Sequence, residues 1–134
     1  MVNALARGCL SVLALAGAGW ALSLGLQARD CEEIRVELLA AILRSEPRPS
    51  AVDRLLSDCR DPETVASVGA SLRRIDPGAA SRIATHALAE APDTFAAWAA
   101  VALTERDPVR AHAAWVRAKR LNPRWSQPDP AARN

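Results

Sequence analysis

Apolar positions recur at helical spacing along most of the chain, and the pattern is clearest between Asp93 and Pro123. Phe95, Trp98, Ala99 and Ala102 fall at i, i+3, i+4 and i+7, and Ala111, Ala114, Trp115 and Ala118 repeat that spacing. Each set predicts an amphipathic helix with one apolar stripe to bury. Arg106-Asp107-Pro108 separates the two. Asp107 suits an N-cap, where its carboxylate accepts from free amides, and Pro108 suits the first helical position, where a missing N–H costs nothing. Asp61-Pro62 and Asp76-Pro77 are helix starts of the same design, while Pro92 and Asn122-Pro123 read as stops. The predicted helices run over about 62–74, 77–90, 94–106 and 108–121.

A shift of 31 residues superposes Asp76-Pro77 on Asp107-Pro108, Ala80 on Ala111, Ala87 on Ala118 and Pro92 on Pro123. The hairpin is therefore a repeat. Small residues at that spacing in a second helix, followed by a terminal Pro, resemble the tetratricopeptide repeat over roughly Pro62 to Pro123. Phe95, Trp98, Ala99 and Ala102 take the places of that family's aromatic, Leu, Gly and Tyr positions. The period is shorter than the family's, Ala102 lacks the bulky ring, and the earlier first helix (Thr64, Ser67, Val68, Ser71) matches poorly. The resemblance implies an all-α solenoid of about three antiparallel hairpins that holds a protein or peptide in a groove lined by first helices. Carried over position by position, that groove comprises Val65, Leu72, Arg73, Ala96, Ala100, Leu103 and Thr104.

Upstream, CEEIRVELLAAILRSEPRPSAVDRLLSDCRD reads as a third hairpin. Ile34, Leu38, Ala41 and Ile42 form one stripe, Glu46-Pro47-Arg48-Pro49 breaks the helix, and Ser50 with Asp53 has the form of a capping box before Val52, Leu55 and Leu56. Cys31 begins the first helix and Cys59 ends the second, so an antiparallel arrangement brings them together, and a disulfide is expected. Zinc is disfavoured, because no short Cys pairing or neighbouring His is present.

Before that hairpin, Gly8 to Ala28 carries no charge and is bracketed by Arg7 and Arg29, which is about the 20 residues a membrane helix requires. The segment is a signal anchor or a signal peptide, with small-residue cleavage sites at Ala16-Gly17-Ala18 and Ala21-Leu22-Ser23. Cys9 precedes the apolar run and lacks a lipobox, which makes it a small apolar filler. Arg7 before the segment and Arg29 and Arg35 after it leave the positive-inside rule undecided. Orientation follows from the disulfide, which places the C-terminal part outside the cytoplasm.

Composition narrows the function classes. Net charge is +2, and Lys119 is the lone lysine among 17 basic residues, which are interspersed with acids; Tyr is absent. Nucleic acid is therefore not an expected partner. The Ala and Arg bias resembles a GC-rich bacterial genome. No nucleophile elbow, phosphate loop or metal-ligand spacing occurs around Ser50, Ser71, Ser81, Gly69, Gly78, His86 or His112. Glu32-Glu33 reads as a helix-start carboxylate pair complementing the dipole, and Trp98 and Trp115 read as core aromatics. Trp125 either closes the last hairpin or anchors a partner.

The expected organisation is a signal anchor or peptide over 1–28, a disulfide-stapled hairpin over 29–60, two repeats over 61–123 and a disordered tail over 124–134. The expected function is a single-pass, membrane-tethered interaction module outside the cytoplasm, without catalytic, cofactor or metal sites. It would serve as a helper subunit in envelope polysaccharide assembly or secretion. The alternative is a regulatory or ligand-binding envelope protein.

Overall fold

A computed structural model describes residues 29–46 and 48–133. The expected membrane segment, Cys9 and the cleavage sites lie outside the described residues. Among the described residues, no helix is long and apolar enough to cross a membrane, and the secondary structure is entirely helical. Helix α1 covers residues 29–44. It is followed by α2 (Pro49–Asp58), α3 (Pro62–Leu72), α4 (Pro77–Glu90), α5 (Phe95–Thr104) and α6 (Pro108–Leu121), with a final 3-10 turn at Pro130–Arg133.

The Asp-Pro starts behave as their chemistry dictates. Asp61 accepts from the amides of Glu63 and Thr64, Asp76 from that of Ala79, and Asp107 from that of Val109. Each carboxylate satisfies amides that have no partner within the helix, and each proline occupies the first turn. Helix α2 departs from expectation. It begins at Pro49 behind Arg48, with no side-chain cap, so Ser50 and Asp53 lie inside the helix and form no capping box. Proline supplies the start there through its fixed φ.

Helix α1 ends in a reversal at Ser45, whose φ is 54°. The Ser45 amide donates to Ile42 O at 3.1 Å and the Glu46 amide to Ala41 O at 3.0 Å. These two bonds form the Schellman pattern, with serine at the left-handed position that glycine usually fills. The chain can then return, and Cys59 comes to lie beside Cys31. Their Cα atoms are 4.7 Å apart and the two are bonded. Arg54 pairs with Glu37 across this hairpin, and both cysteines are buried with Ile34, Leu38, Val52 and Leu55.

Helices α3 and α4 pack as a hairpin, as do α5 and α6, and α5 also lies against both α3 and α4. The inward face of α3 is Val65, Val68, Gly69 and Leu72, all buried. This set is one residue out of phase with the Thr64, Ser67, Ser71 alignment, which explains why that alignment matched poorly. Thr64, Ser67 and Ser71 instead lie on the polar side, where Ser67 Oγ donates to Thr64 O and Ser71 Oγ to Ser67 O, each at 2.9 Å. Shifted by 31 residues, the true stripe falls on Ala96, Ala99, Ala100 and Leu103.

Helix α5 does not carry a single stripe. Ala97, Ala99, Ala100, Ala102 and Thr104 are all buried, because α3, α4 and α6 enclose it and a helix enclosed on several sides must be apolar around its circumference. Phe95 and Trp98 lie half-exposed at its edge, and Trp98 Nε1 donates to Pro92 O at 2.6 Å. Trp115 is likewise half-exposed. The expected core tryptophans are thus peripheral, and small side chains make the interior between helices.

Ala111 and Ala118 are buried at 2% and 0% exposure, whereas Ala113 is exposed. Leucine at either buried position is expected to cost about 1–3 kcal/mol through overpacking. At Ala113, leucine should change stability by no more than about 0.5 kcal/mol. Thermal melts of the three variants measure the contrast, and equal tolerance would contradict the packing of α6.

The tail corrects the expectation of disorder. Trp125 meets Phe95 edge to face at 5.5 Å, Lys119 Nζ donates to Pro123 O and Trp125 O at 2.8 and 2.7 Å, and Trp115 Nε1 donates to Gln127 O at 2.9 Å. His112 Nδ1 lies 2.7 Å from Asp129 Oδ2. The prolines remove backbone donors from this segment, and side chains projecting from α6 bond the carbonyls that remain. Low apolar content had pointed to disorder, but these side-chain partners hold the segment against α6 and the aromatic edge of α5.

Candidate binding surface

The seven expected groove positions do not line one open surface. Val65, Leu72 and Ala100 are buried at 1%, 4% and 1% exposure. Thr104 is buried too, with its hydroxyl donating to Ala100 O at 2.8 Å. Arg73, Ala96 and Leu103 are half-exposed, and Ala96 packs on the core. For Val65 and Leu72 the reason is the one-residue phase difference in α3, and for Ala100 and Thr104 it is the enclosure of α5 by α3, α4 and α6. Positions chosen as groove-lining belong to the stripe that packs between helices, so a partner could reach them only by displacing the core.

Three of the expected residues nevertheless come together. Arg73, Leu103 and Thr104 line a cleft of about 460 Å³ with Arg74, Pro77, Ala102, Glu105, Arg106 and Pro130. Stacking of α5 on α3 places the α3–α4 and α5–α6 turns side by side, which brings Arg73 and Arg74 opposite Arg106. Glu105 is already engaged, since its Oε1 accepts from the amides of Arg106 at 2.7 Å and Asp107 at 3.0 Å. Asp76 is held by its cap to Ala79 at 2.8 Å. The cleft therefore presents guanidinium donors while the nearby carboxylates are occupied by backbone.

Arg74, Arg106 and Pro130 were not singled out from the sequence. A signal for the first two was present, because the 31-residue shift aligns Arg74 with Glu105, next to Arg106, and so predicts that the two turns share an end. Nothing local connects Pro130 to this end, since its position depends on the path of the tail.

Elsewhere, His86 is half-buried between two hollows of about 490 and 650 Å³, one lined by Cys59, Arg60, Val65 and Glu90 and the other by Pro77, Arg82, Thr85 and Arg106. His112 stacks on Trp115 at 6.2 Å in addition to its bond to Asp129. Among the described residues, no group of three His, Cys, Asp or Glu converges to hold a metal ion. Glu32 is bonded to Arg35 at 2.7 and 2.8 Å. That hydrogen bond holds the Glu32 carboxyl below its usual value and raises the Arg35 guanidinium, so the glutamate is an ion-pair partner on α1. Comparison of the chain with protein-family models, curated proteins and solved structures finds no match.

Proposed function

We propose that the chain is a protein-interaction module of stacked helical hairpins, similar to tetratricopeptide repeats, tethered to a bacterial membrane through residues 8–28 and working outside the cytoplasm. The observation that carries this reading is the packing of α5 against α3 as well as α4. It joins two successive hairpins into one stack, the arrangement by which repeat proteins build extended surfaces for partners. Buried residues recur 31 apart at Val68 and Ala99, Gly69 and Ala100, Ala80 and Ala111, and Ala87 and Ala118, which supports a common origin for the two hairpins. The Cys31–Cys59 bond supports an oxidising compartment. A role as a fixed subunit in envelope polysaccharide assembly or secretion is consistent with the small usable surface.

The test is a photo-crosslinking side chain at Ser71, on the exposed side of α3, in the full chain in its native membrane. Illumination should give a discrete adduct with one partner protein, and externally added protease should reach the helical region. Absence of an adduct, or protection from the protease until the membrane is opened, would overturn the reading.

A further inference from the structure

We infer that the cleft between the two hairpin turns is a docking site for an acidic peptide segment of a partner protein, an inference that rests on the interaction-module reading and names its partner chemistry. Arg73, Arg74 and Arg106 line the cleft against one carboxylate residue, Glu105. Among the described residues, none of the three arginines forms an ion pair, a state they share with Arg60, Arg120 and Arg124, while Arg35, Arg44, Arg48, Arg54, Arg82, Arg110 and Arg117 each have one; what sets the three apart is that they line one cleft together. The carboxylates at this end are committed to backbone: Glu105 to two amides, Asp76 to the start of α4 and Asp107 to the start of α6.

Placement at the ends of α3 and α5 lets the arginines complement those helix dipoles, but that role leaves their planar donor forks unfilled. Carboxylates match such forks bidentately, and this is the pairing that arginine favours over lysine. The rest of the lining selects among anions. Leu103 is half-buried between the turns, and Pro77 and Pro130 add apolar surface. A segment carrying Glu or Asp beside Leu-like residues can satisfy both kinds of lining. A cleft of about 460 Å³ takes a short stretch of such a chain, and its size falls within the range typical of ligand sites.

The full chain in detergent micelles is titrated against a dye-labelled peptide of alternating Glu and Leu, followed by anisotropy, with Gln-Leu and polyphosphate as comparison probes. The Glu-Leu peptide is expected to bind at least about tenfold more tightly than the Gln-Leu peptide, and each of Arg74→Glu and Arg106→Glu should weaken it by about tenfold or more. Both arginines are exposed, so helicity and melting should be unchanged in these variants. Equal binding of the two peptides, or unchanged binding in both variants, overturns the site. Polyphosphate binding as tightly as the Glu-Leu peptide also overturns it, because a purely electrostatic patch makes no use of Leu103. A Ser71 adduct that persists in an Arg74→Glu, Arg106→Glu chain unable to bind the peptide would leave the interaction module standing and place its partner elsewhere. Loss of the adduct in that same folded double variant would tie the cleft to the native partner.

Discussion

Replacement of Cys31 and Cys59 together by alanine is expected to destabilise the helical region by about 3.5 kcal/mol, the loop-closure value for cysteines separated by 28 residues. For a domain of this size, that corresponds to a fall of roughly 15–25 °C in the melting temperature. The bond closes a hairpin whose inward side chains, Ile34, Leu38, Val52 and Leu55, are continuous with the core formed by α3 and α4. Loss should therefore loosen α1 and α2 first. Hydrogen exchange provides the second readout: amides of α1 and α2 should lose protection before those of α4. A melting temperature unchanged by the double substitution would mean that packing alone holds the hairpin.

Gly69→Val is expected to disrupt the close approach of α3 and α4. A Cβ built at Gly69 would stand 2.9 Å from Cγ2 and 3.2 Å from Cβ of Ile83, with Ala80 O at 3.4 Å. Ile83 is fully buried and, being β-branched, has little freedom to turn away. Valine should cost about 1–3 kcal/mol by overpacking, even though it forms helix slightly better than glycine. Ile83→Ala alone should cost about 2–5 kcal/mol by leaving a cavity. The combined variant should lose less than the sum of the two by about 1 kcal/mol or more, because the cavity accommodates the added methyl groups. Strict additivity in urea melts would show that the helices have separated rather than packed around the pair.

The helix positions were legible because their punctuation is chemical and local. Each Asp-Pro pair supplies both a cap and a compatible first residue, and α4 and α6 begin and end where Asp76-Pro77, Pro92, Asp107-Pro108 and Asn122-Pro123 place them. The cysteine pairing was legible for a related reason, since an antiparallel return after Ser45 brings segments on either side of the break, and with them Cys31 and Cys59, together. Phase was harder. In α3, the aligned set Thr64, Ser67, Val68 and Ser71 and the buried set Val65, Val68, Gly69 and Leu72 are offset by one residue and share Val68 alone, and placing Phe95, Trp98, Ala99 and Ala102 on the repeat pattern selected the former. Surface assignments in α3 inherited that offset, which is why Val65 and Leu72 are interior, whereas Ala100 and Thr104 are interior because α5 is enclosed on several sides. The cleft depends on two turns that are far apart in sequence and on a tail held by side chains of α6, and such tertiary juxtaposition leaves little trace in periodicity.

The returning tail has a consequence for assembly. A stack of hairpins has two ends, and at the C-terminal end any further layer would have to dock on the edge formed by α5 and α6. Trp125 already lies on Phe95 there, and Trp115, Lys119 and His112 are bonded to the same segment. A second molecule continuing the stack at that edge would have to displace this strap, which adds the loss of its contacts to the cost of head-to-tail growth there. Exposed apolar side chains remain on both outer helices, Val36 and Leu43 on α1 and Val109 on α6, so the strap shields the α5 edge rather than the whole face of the last hairpin.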